Sequence, residues 1–206
     1  MPKHALTYGL LALLASMLVI GGLPVLSGGA AAPGPRLADR SPNAVPVDVE
    51  LVLGVDVSYS MDPDEQALQR EGYQQALIST EFMRALREGM NAKIAITYFE
   101  WASNYDQRIV VPWRLISGPE SAAAVAEEIG RASYRRASRT SISGALAFAK
   151  PLFDNSGYRG IRRVIDISGD GPNNQGALVA PTRDNVVAAG ITIKVCRSCS
   201  SGRAGR

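Results

Sequence analysis

Val47-Asp48-Val49-Glu50-Leu51-Val52-Leu53-Gly54-Val55 runs directly into Asp56-Val57-Ser58-Tyr59-Ser60, joining an apolar segment to an oxygen-rich one. Val47, Val49, Leu51, Leu53 and Val55 alternate with Asp48, Glu50, Val52 and Gly54, the pattern of a strand that begins half exposed and ends buried on both faces. Alternate residues of an extended chain point the same way, so Asp56, Ser58 and Ser60 converge on one point at the C-terminal end of that strand. One carboxylate with two hydroxyls, and no nitrogen or sulfur, is half of a site for a hard cation such as Mg2+ or Mn2+.

Beyond this junction the chain alternates between strands and helices. Asp62, Pro63 and Glu65 form a capping box that opens a helix over residues 62–79, and a second piece covers 81–88 before Gly89. Residues 93–99 read as a strand ending in Glu100-Trp101. A third strand, 108–115, contains Pro112, which breaks it and favours an edge position. A helix over 119–131 follows, then a polar loop carrying Thr140, then a helix over 142–153. Residues 162–168 form a strand that ends in Gly169-Asp170-Gly171, and a polar turn, a helix over 181–189 and a strand over 191–195 complete the series. The alternation predicts an α/β fold: a Rossmann-like, doubly wound, mainly parallel sheet with helices on both faces and one antiparallel edge strand. Ligands of such sheets bind beyond the carboxyl ends of the strands.

Composition limits the chemistry. The chain has 206 residues, 46% of them hydrophobic and 20% charged, enough for one domain with a full core. The only histidine is His4, so loss of the N-terminus would leave no imidazole. A Ser-His-Asp triad, a Cys-His pair and the usual zinc hydrolase sites are thereby excluded. The net charge of +3 resides at the chain ends: without Lys3, Arg197, Arg203 and Arg206, 18 basic residues face 19 acidic ones. Nothing in that balance favours nucleic acid. The local cluster Arg131, Arg135, Arg136 and Arg139 reads either as a solvated helix end and loop or as a rim attracting an acidic partner.

Residues 1–32 read as an export signal, with Lys3 and His4 before an apolar run and small residues at 27–32 for cleavage. The run is also long enough to span a bilayer as an uncleaved anchor. Export places the protein in the periplasm or outside the cell, with membrane contact only through this segment. Residues 33–46, rich in Pro, Ala and Gly, read as a linker, 47–195 as the domain, and 196–206 as a disordered tail.

Taken together, Asp56-Val57-Ser58-Tyr59-Ser60, Arg139-Thr140-Ser141-Ile142 and Ser168-Gly169-Asp170-Gly171 resemble the metal-ion-dependent adhesion site of von Willebrand factor A-like domains, whose pattern is D-x-S-x-S, a threonine, and an aspartate before glycine. Tyr98-Phe99-Glu100-Trp101, the segment Thr140 to Leu146 and the segment Ile165 to Asn174 look like a bacterial exported subfamily of such domains whose function is unknown. The resemblance implies Mg2+, or Mn2+ or Ca2+, bound by Asp56, Ser58, Ser60, Thr140 and Asp170. It also implies a non-enzymatic module that binds a protein ligand through an acidic side chain completing the coordination.

Other readings stand beside this one. Ser58 and Ser60 would also serve as caps of the first helix and Thr140 of a later one. Asp62 and Asp64 fit helix capping or a second cation. Glu100 and Trp101 suit either packing or a ligand-facing role, and Asp166 suits a hydrogen bond toward the site. Gly169-Asp170-Gly171-Pro172-Asn173-Asn174 also resembles the final acidic loop of Mg2+-dependent phosphohydrolases of haloacid dehalogenase type. That family's nucleophile motif requires an aspartate where this chain has Ser58. A metal-free structural domain is the third alternative. A von Willebrand factor A-like domain continues past its fifth strand with a helix, a strand and a closing helix, whereas here Cys196-Arg197-Ser198-Cys199 and a Ser/Gly/Arg tail follow. The expectation is therefore a domain whose C-terminal elements are missing and whose strand near Ile191 is an exposed edge. The Cys-x-x-Cys pair, lacking a second pair, is assigned no function.

Overall fold

The computed structural model describes residues 42–197. The export signal or anchor, most of the linker, and residues 198–206 of the tail lie outside these residues, while Cys196 and Arg197, read as the start of the tail, end the last strand. The elements are β1 (Val45–Asp56), α1 (Pro63–Leu77), α2 (Thr80–Glu88), β2 (Ile94–Trp101), β3 (Gln107–Ile116), α3 (Pro119–Arg131), α4 (Ile142–Ala149), a 3-10 turn (Lys150–Phe153), β4 (Tyr158–Gly169), α5 (Val179–Ala188) and β5 (Ile191–Arg197).

The five strands form one sheet in the order β3-β2-β1-β4-β5. β1 is central and parallel to both β2 and β4, β5 is parallel to β4, and β3 is antiparallel to β2 at the edge. The expected mainly parallel sheet with one antiparallel edge strand is thus observed. Its register sets up the site: Asp56 lies opposite Trp101, and Val55 lies opposite Ser168. The ends of β1, β2 and β4 therefore finish level, and the loops that follow them share one edge.

The sheet is covered on both faces. Val49, Leu51, Leu53 and Val55 pack with Leu77, Phe82 and Ile129 from α1, α2 and α3. Val52, Phe99, Ile165 and Ile167 pack with Leu146 of α4, Phe153 and Val186 of α5. The second face is close-packed at Gly54, where a Cβ would lie 2.6 Å from Phe99 Cζ and 2.7 Å from Ile167 Cδ1. Only glycine fits between those two side chains.

Three expectations are corrected. First, β1 is buried from Val47 onward, so Asp48 and Glu50 are not on a solvent face. The Asp48 carboxylate accepts from Asn91 N at 2.9 Å and Nδ2 at 3.0 Å, and Glu50 accepts from Ser156 Oγ at 2.6 Å and Gly160 N at 3.1 Å. Buried carboxylates need such donors. Second, Pro112 does not break β3, which runs continuously at the edge and absorbs register shifts opposite Ile96–Phe99. Third, α4 ends at Ala149 and a 3-10 turn containing Pro151 replaces the helix's expected last turn; a proline there cannot donate the next helical hydrogen bond. Among the described residues β5 is the second edge strand, with Val195 70% exposed.

Candidate metal centre

The site is built where β1 ends. Asp56 is fully buried, and Ser58 N–H donates to its Oδ1 at 2.8 Å, folding the chain back on itself. Ser58 Oγ and Ser60 Oγ are 2.7 Å apart, and Ser60 Oγ donates to Asp170 Oδ1 at 2.8 Å. Asp170 follows β4, so this bond joins two strand ends far apart in sequence. A Cβ on Gly171 would stand 3.5 Å from Thr140 Oγ1 and 3.8 Å from Ser60 Oγ, which places Thr140 in the same cluster. The structure thus brings together Asp56, Ser58, Ser60, Thr140 and Asp170, all five residues singled out from the sequence.

None of the three hydroxyls is a helix cap. The N-cap of α1 is Asp62, which forms the expected capping box with Glu65. The N-cap of α4 is Ser141, whose Oγ accepts from Gly144 N at 3.0 Å. The capping alternative for Ser58, Ser60 and Thr140 is thereby removed, while capping accounts for Asp62.

Asp56 Oδ2 is buried and has no hydrogen-bond partner. Burial pushes the Asp56 carboxyl up to about 6, against the hydrogen bonds of Ser58, and the Asp170 charge adds to the rise. An orphaned buried carboxylate oxygen is costly unless a cation or a proton satisfies it. Among the described residues no group of three or more His, Cys, Asp or Glu side chains is placed to hold a metal. A cation here would have two carboxylates and hydroxyl oxygens, a donor set that fits a hard ion.

The Thr140 loop is held by residues that sequence reasoning passed over as a polar turn. Thr140 N–H donates to Asn174 Oδ1 at 2.9 Å, and Asn174 N–H returns a bond to Thr140 O at 2.9 Å. Asn173 Oδ1 accepts from Ser143 N at 3.2 Å, and Gln175 Oε1 accepts from Asn104 N at 3.0 Å. Gly176 (φ +84°) closes this turn where a Cβ would lie 2.6 Å from Ser141 Oγ. The only prior signal for these roles was the resemblance of the segments around Thr140 and Asp170 to one subfamily.

On its other side the same loop runs beside the β1 end. Tyr59 N–H donates to Ala137 O at 2.9 Å and Ala137 N–H donates to Val57 O at 3.0 Å. Glu100, 1% exposed, receives Arg70 Nη2 at 2.7 Å and Arg135 Nε at 3.2 Å, and Arg135 Nη1 reaches Asp106 at 2.6 Å. Glu100 is therefore an internal ion-pair partner and Trp101 a packed core residue. Asp166 does not reach the site: it is buried facing Lys194 and Tyr73, and burial pushes its carboxyl up to about 7.

This sheet order, with the oxygen cluster at the carboxyl edge, is the fold of von Willebrand factor A-like domains. Residues 46–196 match the family described as protein of unknown function (DUF1194), and the chain belongs to that family. Among solved structures, proximal thread matrix protein 1 from the mussel byssus, with a zinc-occupied MIDAS motif, superposes with a TM-score of 0.55 at 15% identity. A second crystal form of that protein gives 0.54 at 14%. Both matches cover 73% of this chain and 38% of the mussel chain. No curated protein sequence matches the chain.

Proposed function

We propose that this chain is a divalent-cation-dependent protein-binding module of adhesion type, exported to the cell envelope and without catalytic activity. Asp56, Ser58, Ser60, Thr140 and Asp170 would hold Mg2+, Mn2+ or Ca2+, directly or through its waters. An acidic side chain from a protein partner would complete the ion's coordination. The observation that carries this reading is Asp56 Oδ2, a buried carboxylate oxygen with no donor, on a carboxyl group bonded to Ser58 and raised by burial and by the charge of Asp170, the two residues that Ser60 links being Ser58 and Asp170. The zinc held by the mussel protein's MIDAS motif supports a divalent ion in this fold, and the all-oxygen donor set favours a harder one here.

The phosphohydrolase alternative fares worse. Its second nucleophile-loop acid would stand where Ser58 is buried against Ser60, and Asn174, where it wants a further acid, is bonded to the Thr140 backbone. The test is retention of envelope proteins on the immobilised domain in Mg2+, with release by chelator. Retention by wild type and not by Asp56→Ala supports a metal-dependent binding module; chelator-insensitive retention contradicts it. Turnover of generic phosphate esters that disappears in Asp56→Asn would overturn the non-enzymatic reading.

A further inference from the structure

The loops around the oxygen cluster carry a surface that the metal site does not use. Ala137 is hydrogen-bonded to both Val57 and Tyr59, so Arg136, which precedes it, stands beside the β1 loop, and Arg139 lies two residues further on, immediately before Thr140. Both arginines are exposed. Their neighbours are already paired: Arg131 with Glu127, and Arg135 with Glu100 and Asp106. Arg136 has no carboxylate partner among the described residues; it donates to Tyr59 O at 2.8 Å and lies 5.2 Å over the Tyr59 ring. Arg139 forms no hydrogen bond or ion pair among the described residues, although it is held at φ 71°.

Aromatic side chains share this edge. The exposed tyrosines among the described residues are Tyr59, Tyr105 and Tyr134, and each lies on a loop at the carboxyl end of the sheet or facing it. Tyr134 is held by Arg70, whose guanidinium lies 4.0 Å from its ring centre. Exposed tyrosines and arginines without acidic partners are the composition of a protein-binding surface.

Charge selects the partner. In a loaded site the two carboxylates of Asp56 and Asp170 offset the two charges of the cation, and Arg136 and Arg139, which form no ion pair among the described residues, add positive charge on the Thr140 side. Of the acids that open α1, Asp62 and Glu65 are engaged in its capping box, and Asp64 is exposed. We propose that Arg136 and Arg139 read a second acidic residue of the partner, beside the one that reaches the cation, so that the recognised element is a protein segment with clustered Asp or Glu. This inference rests on the metal-dependent reading of the same site. It adds a positively charged rim that steers and selects such segments, an interaction that salt should weaken.

The test uses dye-labelled Gly/Ser peptides bearing either a single Asp or several adjacent Asp, measured by fluorescence anisotropy against the full chain in Mg2+. The clustered peptide should bind about tenfold tighter than the single-Asp peptide at low salt, since rim ion pairs are individually weak, and the preference should shrink as salt rises. Arg139→Ala, which removes no hydrogen bond or ion pair among the described residues, should lose part of the preference, and the Arg136→Ala, Arg139→Ala double variant nearly all of it. Calorimetric Mg2+ affinity and single-Asp binding should stay unchanged in Arg139→Ala; the double variant, which also loses the Arg136 bond to Tyr59 O, is compared at saturating Mg2+ as the ratio of the two peptides' affinities. Equal binding of the two peptides by wild type, or a preference retained by the double variant, overturns the proposal. Wild type that binds no cation sinks the metal reading instead, and the rim then stands or falls on the same peptide comparison in chelator.

Discussion

A Cβ at Gly169 would lie 2.9 Å from Oδ2 of Asp56, the buried oxygen that lacks a donor. It would also stand 3.2 Å from Asp56 Cβ and 3.3 Å from Trp101 Cζ2, both in fully packed surroundings. Gly169→Ala therefore has to displace the carboxylate or spread β4 from β1. The expected cost is about 1–3 kcal/mol by chemical denaturation, with loss of cation binding. Gly171→Ala meets only ordinary contacts, the nearest at 3.5 Å, and should change stability by less than about 0.5 kcal/mol.

Two buried carboxyls give the metal-free chain an inverted pH response. Asp56 is pushed up to about 6 and Asp166 to about 7, in both cases chiefly by burial. The folded state thus keeps protons that the unfolded chain has already released, so stability is greatest at the acidic end of this window and falls as pH rises. Between pH 5 and pH 8 in chelator, the unfolding free energy should decrease, by about 1 kcal/mol through Asp56 and about 3 kcal/mol through Asp166. Asp166→Asn should remove the part of the fall nearest pH 7. Stability that rises across this window would contradict the assignment.

Glu100 ties α1 to the loop that carries Thr140. Glu100→Ala leaves the buried Arg70 guanidinium without its acid and should cost about 3–5 kcal/mol. Glu100→Gln keeps an acceptor and should cost less. Melting temperatures of the two variants check the order; equal losses would show that the charge is all that Glu100 supplies and that a neutral acceptor adds nothing.

Asn174 holds the backbone of Thr140 from both sides, accepting from its N–H and donating to its carbonyl. Asn174→Ala removes the acceptor of Thr140 N–H, with an expected stability loss of about 1 kcal/mol. Because groups that orient ligands set affinity, the cation affinity should fall by about 10–100-fold. A calorimetric titration of this variant tests it, and unchanged affinity would detach Asn174 from the site.

The fold was legible because hydrophobic periodicity and cap chemistry are local: Asp62 and Glu65 announce α1, and the run to Val55 announces the central strand. What escaped depends on distant partners. Asp48 and Glu50 look like solvent-facing alternation until Asn91, Ser156 and Gly160 arrive from 43 to 110 residues away. The five oxygen-bearing residues were readable because their types and order carry the pattern. Asn173, Asn174 and Gln175 were not, since neutral amides acquire a role only through the backbone groups they meet. Arg135 and Arg136 show the same limit: adjacent and chemically identical, one is spent inside the protein on Glu100 and Asp106, while the other faces solvent.

The most direct measurement is calorimetric titration of the chain with Mg2+, Mn2+, Ca2+ and Zn2+, repeated on Asp56→Ala and Asp170→Ala. A single site on the wild type, abolished in the first variant and abolished or strongly weakened in the second, is the predicted result. No binding by the folded wild type, or equal binding by all three proteins, would contradict the account.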